Sequence, residues 1–323
     1  MRNKHSRKKR ATNKTHRRRK YRGGSTSGRC VFVYMINDEG LGNQLFYLSA
    51  GLVALNKIER EVGPNKMTLC VVPAKTNKHT SNTYEQIFNF PPKVKVMSDS
   101  EARPRIDAGQ IVLQLSDVQS TAKWSNANVK YNSTSDKNAV VPDRLYQNYL
   151  AVQSVIPTVK EMFMKNEFEH ESKKSAYEKI KHATPEGSAF IHVRRGDYKE
   201  KNWVLQEEFY VRGLDELNKD QNIKVIWIIS NELDWCKRIP WKTDKPIEYY
   251  DSKNELEVLY KMMVCSAGAV ISASTFSSWG VMLGADMNPT STIVYPLSWL
   301  THDADGDNPL DFPPRWKGIP NKV

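Results

Sequence analysis

A chain of 323 residues can bury one large apolar core or two medium ones. Its net charge of +12 sits at one end: residues 1–29 hold thirteen Lys and Arg and no acid, leaving 35 basic against 36 acidic side chains elsewhere. The near-neutral remainder argues against a polyanion-binding body, and the lack of any run of about 18 apolar residues argues against a membrane-spanning helix.

The first 29 residues close on Gly23-Gly24-Ser25-Thr26-Ser27-Gly28 and read as a disordered basic arm with a flexible joint. Such an arm suits an anionic surface, membrane or nucleic acid, or an import receptor. It serves equally as a solvated tail. It lacks the apolar stretch of a secretory signal, so the expected location is cytoplasmic, with peripheral membrane attachment through the arm an option. Cys30, Cys70, Cys236 and Cys265 lie far apart without the spacing of a zinc site, and reduced thiols are expected.

From residue 30 the chain alternates strand and helix. Residues 30–36, β-branched and aromatic, predict a strand that runs into Gly40-Leu41-Gly42-Asn43-Gln44. Leu45, Leu48, Leu52, Leu55 and Ile58 then recur at helical spacing until Gly63-Pro64. Glycine turns between strand and helix aim backbone N–H groups at ligands, although any tight turn favours glycine, and Asn43 and Gln44 could as well cap the helix. Strands are expected at 67–73 and 111–115, a polar surface loop at 120–139, and helices at 145–156 and 158–168 broken by Pro157. A charged helix is expected at 171–182.

The pattern restarts at Ala189-Phe190-Ile191-His192-Val193-Arg194-Arg195-Gly196-Asp197-Tyr198, a buried strand that ends in polar groups. Period two puts Phe190, His192 and Arg194 on one face, so His192 and Arg194 would reach one ligand together. Arg195, on the other face, is expected to tie the turn to Asp197. Further strands at 224–230, 247–250, 269–273 and 293–296 alternate with helices at 206–217, 234–237 and 255–266, and a last helix begins near Val281. Three strand ends therefore follow one another: Arg194-Arg195, Asn231-Glu232 and Ser274-Thr275. Ligands of open α/β sheets bind outside the carboxyl ends of strands, and a cation, an amide–acid pair and two hydroxyls would suit a nucleoside diphosphate. Ser274-Thr275 reads alternatively as a plain helix cap.

Four segments together resemble the motifs of the α1,2-fucosyltransferases: Gly40-Leu41-Gly42-Asn43-Gln44-Leu45-Phe46, His192-Val193-Arg194-Arg195-Gly196-Asp197-Tyr198, Ser230-Asn231-Glu232-Leu233-Asp234-Trp235-Cys236 and Ser274-Thr275-Phe276-Ser277-Ser278-Trp279-Gly280. They occur in that family's order over residues 30–320, and Tyr146-Gln147-Asn148-Tyr149-Leu150 is similar to a further family segment. The resemblance implies a GT-B-like α/β fold: two Rossmann-type domains facing a cleft, residues 30–185 on the acceptor side and 186–323 binding the nucleotide sugar. It implies GDP-fucose as donor, a galactose-containing glycan as acceptor, inversion, and no metal or other cofactor. By motif position, His192 and Arg194 would contact the diphosphate, and Arg195 is a further donor-binding candidate. Asn231, Glu232, Ser274, Thr275 and Phe276 would line the donor site, closed by Gly42 and Asn43 from the other domain. Arg194 would stabilise the leaving group. The general base stays open, with Asp197 and Glu232 as candidates beside a weakly assisted or water-relayed acceptor.

The chain departs from the family at Ser278, where a tryptophan is usual, and at Glu232, where an aspartate is usual. The acid of the helix before Ser274, Glu257, is shifted from the family's register. Two alternatives stand beside this reading. One is a fucosyltransferase of another linkage, acting on a glycan core or on protein hydroxyls. The other is a nucleic-acid-binding or virion structural protein whose arm does the work.

Overall fold

The computed structural model describes residues 28–35, 39–73, 87–108, 110–112, 137–141, 146–164, 171–299 and 310–321. The basic arm through residue 27 and most of the polar stretch at 120–139 lie outside these residues.

Two parallel sheets organise the chain. In the first, β1 (Arg29–Tyr34) pairs with β2 (Met67–Val72) on one side and β5 (Asn138–Val140) on the other. With β3 (Val94–Val96) and β4 (Gln110–Val112) the order is β3-β2-β1-β5-β4. The crossover from β1 to β2 is α1 (Leu41–Val62), whose leucines at the foreseen spacing are all buried. It stops at Gly63, whose φ of 94° and N–H bond to the Glu59 carbonyl end the helix in a conformation open to glycine. The opposite face is covered by α2 (Asp99–Asp107), started by a capping box between Ser98 and Glu101.

That covered face corrects the expectation of four free thiols. Cys30 and Cys70 stand on neighbouring strands, both pointing toward α2, with Cα atoms 5.9 Å apart, and are joined as a disulfide. Spacing along the chain could not reveal this, because strand register brings residues forty apart into contact. Cys236 and Cys265 are free and buried.

The second sheet runs β11-β10-β9-β6-β7-β8 and is parallel throughout. Its centre is β6 (Ser188–Val193), flanked by β7 (Val225–Ser230) and β9 (Gly268–Val270). The edges are β8 (Ile247–Tyr250) on one side and β10 (Thr292–Pro296) with β11 (Lys317–Ile319) on the other. Both faces of β6 are buried, as in a sheet covered twice. Ile191 and Val193 pack under a helix at Glu207–Asn218, whereas Phe190 joins the larger core.

That larger core is continuous between the sheets. Phe46 of α1 meets Trp279 edge to face, with centroids 5.2 Å apart. The remaining helices, in chain order, are α3 (Tyr149–Val152), α4 (Ile156–Met164), α5 (Glu171–His182), α6 (Glu207–Asn218), α7 (Leu233–Cys236), α8 (Glu255–Val264) and α9 (Thr275–Leu283); α6 and α7 pack in the smaller cluster with Ile191 and Val193. Pro157 does not break a helix; it lies in the first turn of α4, where its missing N–H costs nothing. Residues 138 and 139, expected in a loop, belong to β5, because pairing with β1 outweighs their polar surroundings. No helix among the described residues is long and apolar enough to cross a membrane.

Candidate active site

All three strand ends and the glycine turn meet at the carboxyl edge of the second sheet. β6 ends at Val193 and hands the chain to a tight turn at Gly196–Tyr198, in which Gly196 has φ 23°. Glycine is needed there twice over, since a methyl group would also strike the Asn231 carboxamide. Asn231 in turn accepts from the Arg195 backbone N–H at 3.0 Å.

The arginines divide their work differently from the expectation. Arg194, not Arg195, pairs with Asp197, at 2.8 Å, and also lies over the Tyr198 ring. The turn brings residue i+3 back over residue i, which period two along the strand does not anticipate. Arg195 lies 3.9 Å over the Trp235 ring and reaches Glu232 at 3.3 Å. Lys199 holds the other oxygen of Glu232, and this bond, ahead of Arg195, keeps that carboxyl below its ordinary range. Asn231 and Glu232 thus brace the arginine turn. Arg194 remains about a third exposed.

His192 is buried, its Nδ1 2.7 Å from the hydroxyl of Ser272. Burial, and after it the charge of Arg194, push it down to about 3. It is a neutral imidazole at working pH, so it offers a ligand a hydrogen bond and no charge.

Ser274 occupies the cap position of α9, yet its side chain makes no capping bond. Helix α9 begins at Thr275, earlier than expected, so Thr275 and Phe276 present the free N–H groups of its first turn. Ser277 and Ser278 turn inward and donate to the Ser274 carbonyl, each at 3.1 Å. Tyr198 closes this corner by donating to the Ala273 carbonyl at 3.0 Å. The Phe276 ring stands edge-on to His192, with centroids 6.4 Å apart.

The glycine turn arrives from the first sheet. Gly40 has ordinary φ and open space around it, whereas Gly42 is pressed against α9. A methyl at Gly42 would stand 2.6 Å from the carbonyl carbon of Thr275, 2.7 Å from its Oγ1 and closer still to the Phe276 nitrogen. The second glycine therefore permits close approach of two helices; turn geometry does not demand it. Asn43 does not cap α1: its amide donates to Glu39 and its carbonyl accepts from Gln147 at 2.9 Å. Gln44 donates to the Glu39 backbone carbonyl at 2.8 Å.

Sequence reasoning missed Ser272 and Glu255, and it noted Gln147 only as part of the Tyr146–Leu150 segment. Glu257, the acid noted there, is engaged by the Ser252 hydroxyl at 2.8 Å. Glu255, two residues earlier, is half-buried and keeps Oε2 buried without a hydrogen-bond partner. Burial pushes its carboxyl up to about 7 against the opposing pull of the Leu41 N–H and Arg194. Only an acid at the first position of α8 hints at this in the sequence.

A parallel α/β fold whose two sheets meet through a glycine-lined helix contact, with an arginine and a helix N-terminus at the seam, has the build of a GT-B-like glycosyltransferase. The profile of glycosyl transferase family 11 matches residues 145–317, and the chain belongs to that family. No curated protein matches the sequence. Among solved structures, the NodZ α-1,6-fucosyltransferase soaked with GDP-fucose is similar in fold, with a TM-score of 0.51 at 12% identity over 80% of this chain and 93% of that one. POFUT1 in complex with GDP gives 0.47 at 12% identity over 83% and 98%. The E. coli heptosyltransferase WaaC with ADP gives 0.42 at 11% over 90% and 93%.

Proposed function

We propose that this chain transfers L-fucose from GDP-fucose to a galactoside hydroxyl, forming an α1,2 linkage with inversion at the anomeric carbon. One observation carries the reading. The segments that resemble the α1,2-fucosyltransferase motifs come together in space, with Gly42 of α1 against Thr275 and Phe276 of α9 and with Arg194 and His192 beside them.

The donor diphosphate would lie across the first turn of α9, taking hydrogen bonds from the free N–H groups and the Ser274 and Thr275 hydroxyls. Arg194 would trade part of its contact with Asp197 for the β-phosphate, whose charge grows as the bond to sugar C1 lengthens. An interaction that strengthens along that path lowers the barrier. His192 would add a hydrogen bond without disturbing the charge balance. Arg195 belongs to the support of the turn through Trp235 and Glu232. These groups supply the charge compensation that the departing GDP needs, so no metal enters the scheme.

A panel of nucleotide sugars, read by release of the nucleoside diphosphate with and without chelator, tests the donor and the metal requirement. Linkage analysis of the product tests the acceptor. GDP release from GDP-fucose, unaffected by chelator, together with a Fuc-α1,2-Gal product is the expected result. A fucosylated product of another linkage would move the assignment to the core-glycan or protein-directed alternative.

A further inference from the structure

The geometry points to Glu255 as the general base that takes the proton of the acceptor hydroxyl, an inference that rests on the transferase reading above.

An inverting displacement needs a carboxylate with an available oxygen close to, but not paired with, the cation that receives the leaving group. Four acids stand near the arginine turn. Glu39, whose charge reaches Tyr198, is bonded by the Asn43 amide. Asp197 is the partner of Arg194 at 2.8 Å. Glu232 is bound by both Arg195 and Lys199. A carboxylate held by cations is a weak base. Glu255 is held differently: among the described residues no cation is paired with it, the Leu41 backbone N–H acts on its carboxyl group from α1, and Oε2 is buried without a hydrogen-bond partner.

The surroundings of Glu255 suit proton transfer. From the β6 side the ionised group that acts on it is Arg194, itself offset by Asp197; from α1 there is the Leu41 N–H; on its own helix the cap is the neutral Asn254. Its proton affinity, near pH 7, lets it be ionised at working pH and still accept a proton as the reaction proceeds. Leu41 is the neighbour of Gly42, so the carboxylate sits beside the helix contact against which the donor would lie.

The step balances. The acceptor oxygen forms its bond to fucose C1 as its proton passes to Oε2 of Glu255. The bond from C1 to the β-phosphate oxygen breaks, and its electron pair leaves with GDP. The protonated Glu255 returns its proton to water when product leaves.

The test compares wild type, Glu255→Gln and Glu255→Asp with the nucleotide sugar and acceptor that the wild-type chain turns over, each checked for folding by its melting temperature. Glu255→Gln should lower kcat by about a hundredfold or more while leaving the Kd for GDP within about threefold, and Glu255→Asp should recover part of the rate. The wild-type rate should fall as pH drops below about 7, where Glu255 is protonated, and the Gln variant should lose that limb. Unchanged kcat in Glu255→Gln overturns the assignment. So does a loss of GDP affinity that accounts for the lost rate, because the carboxylate would then read the nucleotide. A wild-type chain that uses a sugar nucleotide other than GDP-fucose would overturn the proposed donor alone, and the same comparison would proceed with that donor.

Discussion

Gly42→Ala tests the closeness of the two halves. The added carbon would stand 2.6 Å from the Thr275 carbonyl carbon and 2.7 Å from its Oγ1, where ordinary contact begins near 3.4 Å. Backbone on both sides leaves no flexible side chain to yield, so α1 and α9 must separate by roughly 1 Å, an overpacking that typically costs 1–3 kcal/mol. The same displacement moves the first turn of α9, which would hold the diphosphate, away from the glycine turn. A shift of about 1 Å in reacting geometry can cost on the order of 10² in rate. Melting temperature and steady-state kinetics measure the two effects on one sample. The expected outcome is a folded variant with lower stability, a higher KM for the donor and a kcat reduced by about two orders of magnitude. Wild-type kinetics in Gly42→Ala would refute the close approach as a feature of the active site.

Other variants separate neighbouring roles. Arg194→Ala should lower kcat by about 10²–10³ with little change in stability, whereas Arg195→Ala, which strips the Trp235 ring and Glu232 of their partner, should show mainly in the melt. Glu255→Gln should raise stability at pH 8 and leave it unchanged near pH 4. A carboxyl raised from 4.5 to about 7 favours the neutral folded form, so its stabilising contribution is present below 4.5 and lost as pH rises through 7. That interval corresponds to at most about 3 kcal/mol, and a melt at each pH reads it. Asp286→Ala should cost about 3–5 kcal/mol in a urea titration. It leaves the Tyr149 hydroxyl, bonded at 2.6 Å, the Trp316 indole N–H, bonded at 2.8 Å, and Arg315 without their buried acceptor.

Charged residues near the site show how far linear pattern reaches. Period two along β6 correctly separated Phe190 and His192 from Ile191 and Val193, because alternation is a local property of extended backbone. It failed one residue past the strand, where the turn at Gly196–Tyr198 handed Asp197 to Arg194 and left Arg195 to Glu232. Ser274 illustrates a different limit. A Ser-Thr pair before an apolar run reads as a cap, and whether the hydroxyl spends itself on the helix is decided by side-chain geometry.

The amino-acid order by itself determined the alternation of strand and helix, the polar groups at strand ends and the glycine turn, since each is written in periods of two or 3.6 residues and in local turn chemistry. Only the tertiary structure decided what lies far apart in the chain and near in space. It joined Cys30 to Cys70 through strand register, it pressed Gly42 onto α9, and it buried Oε2 of Glu255 without a hydrogen-bond partner. Those outcomes depend on desolvation and on contacts between elements, which a reading confined to neighbours along the chain does not contain.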